Sequence, residues 1–233
     1  MPIFQLTKEL VFPHPSLSEA DGLLAFGGDL STERLLLAYS NGIFPWYNPE
    51  EPILWWSPEP RTVFFPDEFK LTKSLKQTIR SKKFEVKFDT CFEEVIRNCS
   101  SLKNRQDNET WLGSEMQQAY ILLHKKGFAH SVETFYKDEL VGGLYGISLG
   151  RVFFGESMFY RKSDASKIAL YYLCQKLIEH DFHFIDAQMT TNHILSLGAS
   201  ELTRNEYLKL LSPALQHKSI IGKWTIYNKV NQY

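Results

Sequence analysis

The chain is short of cysteine. Cys91, Cys99 and Cys174 are an odd three, with no CxxC pair among them. That excludes a disulfide framework and offers no zinc-knuckle spacing, so reduced thiols are the expectation. Long apolar runs are also missing: none approaches the roughly 20 residues that cross a bilayer. MPIFQLTKEL at the start lacks the basic opening and apolar stretch of a secretory signal. A soluble, cytoplasmic monomer with no membrane contact is expected. Neither sign of charge dominates, with 26 Lys and Arg against 27 Asp and Glu, so any nucleic-acid surface must be local. There is no HExxH, no GxSxG elbow and no Walker or dinucleotide glycine spacing, and the histidines form no helical i, i+4 pair. No metal and no cofactor is therefore expected. What the chain does carry is aromatic residues, 14% of 233, which suits either a heavy core or faces that stack on something flat.

Texture divides the chain. Residues 1–66 are rich in Pro, Gly and Trp. Ser31 reads as the N-cap of a helix that Gly42 ends. Pro45, Pro49, Pro52, Pro58 and Pro60 then rule out a central strand or helix, yet Phe44, Trp46, Tyr47, Trp55 and Trp56 sit among them. Such rings can plug a core or wall a cleft. Thr72 can cap a helix carrying Leu75 and Ile79, and 84–88 alternates as a strand. Thr90 with Glu93, Ser114 with Gln117 and Thr203 with Glu206 have capping-box spacing. From residue 128, three strand-like runs form an antiparallel meander. A helix at about 164–179, a short apolar strand ending at Gln188 and a short helix stopped by Gly198 follow. The class is α+β, divided into a small N-terminal unit over 1–95 and a second unit over 96–233.

Meander, helix and one further strand is the order of the GNAT-type acyltransferase fold, where an acyl donor sits between splayed strands. A coenzyme A user needs a glycine-rich turn before the helix so that backbone N–H groups can hold a pyrophosphate. FYRKSDASKIAL has no glycine there, so another donor is expected. Lys73, Lys76, Arg80 and Lys83 fall on one helical stripe, provided the helix runs that far. Most charge runs are solvated faces; the alternative is a phosphate-binding surface that reads no bases. Glu156, Asp186 and Gln188 interrupt apolar strands, where burial is costly unless the groups are paired or used. Asp186 and Gln188, two apart, point to one face of a regular strand. A structural hydrogen-bonded cluster is the competing reading of these three.

Taken together, GLLAFGGDLS, GIFPWY, ILWWSPEPR, Thr110-Trp111, AHSVE, LVGGLYG, FFGESMF, ASKIAL, Ile185-Asp186 with Gln188, and SLGA resemble the leucyl/phenylalanyl-tRNA–protein transferase family over about residues 11–211. The resemblance implies a GNAT-like C-terminal domain behind a small N-terminal one. It implies an aminoacyltransferase that moves Leu or Phe, and Met more weakly, from aminoacyl-tRNA to proteins beginning with Arg or Lys, marking them for N-degron degradation. It maps catalysis onto Asp186 and Gln188, a substrate-binding carboxylate onto Glu156, and stacking on the tRNA 3′ end onto Trp46 and Trp111. It maps the donor side-chain pocket onto Leu144, Phe153, Met158, Leu170 and Ile185, while the basic stripe fits a tRNA backbone. Phe153 is odd-numbered and Glu156 and Met158 even, so a shared face requires a bulge near Gly155. The chain departs from the family pattern at Tyr160, at Ala187 and over 190–192. An acyl-CoA N-acetyltransferase and a non-catalytic tRNA-binding module are the rival classes.

Overall fold

The computed structural model describes residues 3–101 and 112–227. In the proline-broken opening segment only short strands form. β1 (Phe4–Leu6), β2 (Leu23–Gly27), β3 (Phe44–Pro45) and β4 (Leu54–Trp56) make a sheet ordered β1-β2-β4-β3, and β4 is paired on both sides, against the expectation of no central strand here, because its three residues fall between Pro52 and Pro58. Between β2 and β3 runs α1 (Thr32–Ser40), where Ser31 accepts the Arg34 N–H and Gly42 leaves the helix at φ +72°. Both roles open to the aromatic residues occur. Phe44, Tyr47 and Trp55 are buried in the core. Trp46 stands exposed, its ring edge-on to half-buried Trp56 at 5.7 Å.

The large sheet takes strands from the whole remaining chain. β5 (Arg61–Phe64), β6 (Glu85–Phe88), β7 (Ala129–Tyr136), β8 (Glu139–Leu149), β9 (Val152–Tyr160), β10 (Phe184–Gln188) and β11 (Ser200–Leu202) lie in the order β11-β5-β10-β9-β8-β7-β6. Every neighbour is antiparallel except β9 with β10. The β7–β9 meander leads into α5 (Ala165–Glu179), and β10 returns parallel to β9, so the expected α+β, GNAT-like order is present. β8 is buried beyond Glu139 because helices cover both faces. Tyr145 and Ile147 join a core with Phe92 and Ile96 of α3 (Phe92–Ser100) and Tyr120 and Leu123 of α4 (Ser114–Lys125). Leu144 points the other way, into a core with Leu170 and Leu173 of α5. Each such apolar side chain contributes about 1.5–3 kcal/mol on burial.

The division expected between 95 and 96 crosses this sheet, since β5 bonds to β10 and β11, and β6 to β7. We propose that it lies between β4 and β5. Of the three expected capping boxes only Thr203–Glu206 forms, at the start of α7 (Arg204–Leu215). Thr90 instead donates its hydroxyl to Glu133 at 3.0 Å, because a carboxyl buried on β7 needs donors more than the helix end does. Gln117 donates to the Leu112 carbonyl, and Gly113 takes the cap position. α2 (Lys73–Arg80) is capped by Thr72 as expected but stops short: Lys82 takes φ +49° and Lys83 lies past the end, its Nζ over the Phe84 ring. The helical stripe is therefore Lys73, Lys76 and Arg80, all exposed, with Lys83 outside it.

Candidate functional site

β9 and β10 pair in parallel over three positions, ending at Asp186 opposite Phe154. Beyond that point each strand bulges. On β9, Ser157 pairs with Tyr145 and Gly155 with Gly146, which leaves Glu156 as the extra residue. On β10, Asp186 pairs with Val63 and Gln188 with Thr62, which leaves Ala187 as the extra one. The parity that two bulges alter is what shapes the site. Phe153, Glu156 and Met158 now border one cavity, as a bulge near Gly155 requires. Gly146 fits the first bulge because a Cβ there would collide with the Phe154 carbonyl and the Phe153 ring.

The cavity holds about 250 Å³. Leu144, Phe153, Met158, Leu170 and Ile185 all line it, and they make it apolar on the α5 side. Glu156 and Gln188 stand at its polar side, with Thr191 and His193 from the start of α6 (Asn192–Leu197). Glu156 is the one carboxylate among its lining residues.

Asp186 does not share a face with Gln188, contrary to the spacing argument, because the Ala187 bulge separates them. It is fully buried on the far side of β10. Arg61 grips it from Nε at 2.9 Å and Nη2 at 2.6 Å, the Tyr207 hydroxyl donates at 2.8 Å, and the Gln188 backbone N–H donates at 2.9 Å. All four bonds fall on two oxygens, so nothing of the carboxylate is left for a molecule in the cavity. Burial opposes the Arg61 charge, but the Asp186 carboxylate beside it outweighs that and holds the guanidinium above its ordinary range. Asp186 does the work of a fastener: it ties the bulge, where Gln188 sits at φ +56°, to β5 and α7.

Glu156 is placed differently. Tyr39 of α1 meets Oε1 at 2.8 Å, Tyr120 of α4 meets Oε2 at 2.7 Å, and the Gln188 side-chain amide donates to Oε1 at 3.2 Å. The two phenol oxygens are themselves 2.6 Å apart. Burial pushes the carboxyl up to about 7, against the lowering effect of the two phenols. Both phenols are held well above their usual range, by burial first and then by the charge of Glu156. An apolar socket closed by a carboxyl that titrates near neutrality and by a neutral amide can hold a hydrophobic group while a proton moves beside it.

Four of these residues went unread in the sequence. Tyr39 and Tyr120 look like members of apolar helix faces, and Tyr207 sits in an ordinary amphipathic helix. Arg61 left a signal: a charge heading the apolar run RTVFF. Among the predicted contacts, Trp46 does not line the cavity, and Trp111 lies outside the described residues.

A family model described as leucyl/phenylalanyl-tRNA protein transferase matches residues 63–212, and one for its N-terminal domain matches residues 28–59. A leucyl/phenylalanyl-tRNA–protein transferase of Syntrophobacter fumaroxidans is 55% identical over 91% of this chain and 91% of its own. One from Desulfatibacillum aliphaticivorans is 51% identical over 97% of each. Among solved structures, an aminoglycoside acetyltransferase from an uncultured soil metagenomic sample is similar with a TM-score of 0.38 and 12% identity, over 50% of this chain and 85% of that one.

Proposed function

The chain belongs to the leucyl/phenylalanyl-tRNA–protein transferase family, and on that premise we propose that it moves a leucyl or phenylalanyl group, and methionyl less readily, from aminoacyl-tRNA to the N-terminal α-amine of proteins beginning with Arg or Lys. It is an aminoacyltransferase. The observation that carries the finer reading is the apolar cavity at the β9–β10 splay, closed by Glu156 and Gln188. The side chain of the donor enters between Leu144, Phe153, Met158, Leu170 and Ile185. Its ester carbonyl then lies at the polar side, where Gln188 can donate to it. Glu156 faces the cationic acceptor.

Asp186 enters this reading as a positioning residue, because its oxygens are spent on Arg61, Tyr207 and the Gln188 backbone. The aminoacyl ester is already activated, so positioning of amine and ester supplies much of the rate. Trp46, exposed beside Trp56, offers a face for the terminal adenosine, worth about 1–3 kcal/mol per stacked base; Trp111 has the same role by resemblance. Product proteins are marked for degradation. No helix among the described residues is long and apolar enough to cross a membrane. A cytoplasmic monomer is our reading of the location and state.

Transfer of labelled Leu from Leu-tRNA to a protein beginning with Arg, without coenzyme A or ATP, is the direct test. Product confined to reactions given an acyl-CoA would point to the acetyltransferase class, and tRNA binding without any transfer to a binding module.

Lys73, Lys76 and Arg80, with Lys83 beyond them, are proposed to meet tRNA phosphates without reading bases. Neutralising Lys76 and Arg80 should raise KM for every accepted tRNA by similar factors and flatten the salt dependence by about one to two contacts. An unchanged slope in binding titrations across salt would return these residues to a solvated face.

A further inference from the structure

Resting on the aminoacyl-transfer reading above, we propose that Glu156, held by Tyr39 and Tyr120, is the catalytic residue that takes the proton which the acceptor's α-ammonium must lose. The geometry that points to this is a count of protons. Four oxygens of three side chains form a ring closed through the Glu156 carboxyl: Tyr39 to Oε1 at 2.8 Å, Tyr120 to Oε2 at 2.7 Å, and Tyr39 to Tyr120 at 2.6 Å. Each contact is a hydrogen-bond distance and calls for one proton. With Glu156 ionised the ring holds two, one on each phenol, and one contact has none. A third proton on Glu156 completes it, every group then donating once and accepting once. The site is thus built one proton short, beside the cavity where the acceptor must come.

The surroundings agree. The groups that touch Glu156 are Tyr39 on α1, Tyr120 on α4 and Gln188 on β10, with Tyr145 of β8 beside the phenols, and the charges that act on it from further off are Arg61 on β5 and Asp186 on β10. Asp186 and Arg61 push in opposite directions and are locked to each other. An α-amine in water titrates at about 7.7–8.0. Glu156, raised to about 7, lies close below it, so the proton moves between nearly matched partners.

The step balances. An ammonium N–H proton passes to the Glu156 carboxylate. The freed lone pair forms the C–N bond at the ester carbonyl carbon. The ester C–O bond breaks, its electron pair staying on the ribose oxygen, and a second proton from the nitrogen ends there as hydroxyl. Glu156 then gives its proton to water, and the ring returns to its proton-deficient state.

The test is the pH dependence of single-turnover transfer from Leu-tRNA to a saturating acceptor beginning with Arg, with binding of Leu-tRNA as the check that each protein is folded. The wild type should show an acidic limb near pH 7. Glu156→Gln should abolish that limb and lower the plateau by about a hundredfold. The double variant Tyr39→Phe/Tyr120→Phe keeps ring shape but strips both phenol donors from the carboxylate, so it should move the limb at least about one pH unit upward. Its rate should recover above the shifted limb, as a merely structural defect would not allow. A wild-type plateau in Glu156→Gln, or an unmoved limb in the double variant, overturns the proposal while the aminoacyl-transfer reading stands. A wild type that makes no product at any pH overturns the reading itself.

Discussion

Replacing Arg61 by Met is expected to destabilise the fold by about 3–5 kcal/mol, because it leaves the Asp186 carboxylate buried and uncompensated. Neither partner has solvent to fall back on: Arg61 is 1% exposed and Asp186 0%. The guanidinium also lies over two rings, 4.9 Å from the Phe44 centroid and 4.5 Å from that of Tyr207, so its removal costs packing as well as charge. Asp186→Asn should cost less, since the amide keeps the size and can still accept from Tyr207. Arg61→Met combined with Asp186→Leu should recover part of the loss, as paired apolar replacements of buried ion pairs do. Denaturant unfolding of the three proteins checks this. Equal stabilities for Arg61→Met and the wild type would mean that the pair holds nothing. In activity, Asp186→Asn should lower transfer through a loosened Gln188 bulge and keep an acidic limb, moved to lower pH because Arg61 then acts on Glu156 unopposed.

The second large effect is at the floor of the proposed donor socket. Phe153 is fully buried, and its ring stands 5.8 Å from that of Trp224 behind it. Phe153→Ala should cost about 3–5 kcal/mol in stability, from lost transfer energy and the hole left between β9 and Trp224. The same hole should change donor choice. An apolar socket discriminates by shape, and one methylene is worth only about 1–3 kcal/mol. Donors unbranched at Cβ should enter the wild type, and Ile and Val should not. Phe153→Ala, and more mildly Leu144→Ala or Met158→Ala, should narrow the gap between Leu-tRNA and Ile-tRNA in competition assays. If Ile-tRNA already serves the wild type as well as Leu-tRNA, this cavity does not hold the donor side chain.

What the residues disclosed in advance divides along physical lines. Periodicity announced the meander, α5 and the short strand ending at Gln188, because those segments bury one face or two and must repeat accordingly. The three polar residues inside apolar strands announced the site, because burying them is expensive without a reason. Roles within the site were not legible. Spacing put Asp186 beside Gln188, and one extra residue, Ala187, turned Asp186 to the far side. A bulge has no periodic signature, and it showed on β9 only because Phe153 and Glu156 conflicted in parity. The capping boxes at Thr90 and Ser114 failed for a related reason: local spacing cannot see a distant buried carboxyl such as Glu133, or a nearer backbone carbonyl, competing for the same side chain. Arg61 and the two phenols reach the site across 125, 117 and 36 residues, beyond any local pattern.

β5 lies between β10 and β11 in the large sheet. Its four residues, Arg61–Phe64, are made early in the chain, while both neighbours come more than a hundred residues later. On a growing polypeptide that strand must wait for residue 188 to pair on one edge and for residue 202 to pair on the other. Loop closure of that length delays the reward for folding, and such pairings form slowly. The ion pair that fastens the Gln188 bulge joins β5 to β10, so it is made in the same late event. Pairing of β5 with β10 and fastening of the bulge are therefore one late event, and a chain halted before β11 would hold β5 by one edge and lack Tyr207, which shares Asp186 with Arg61.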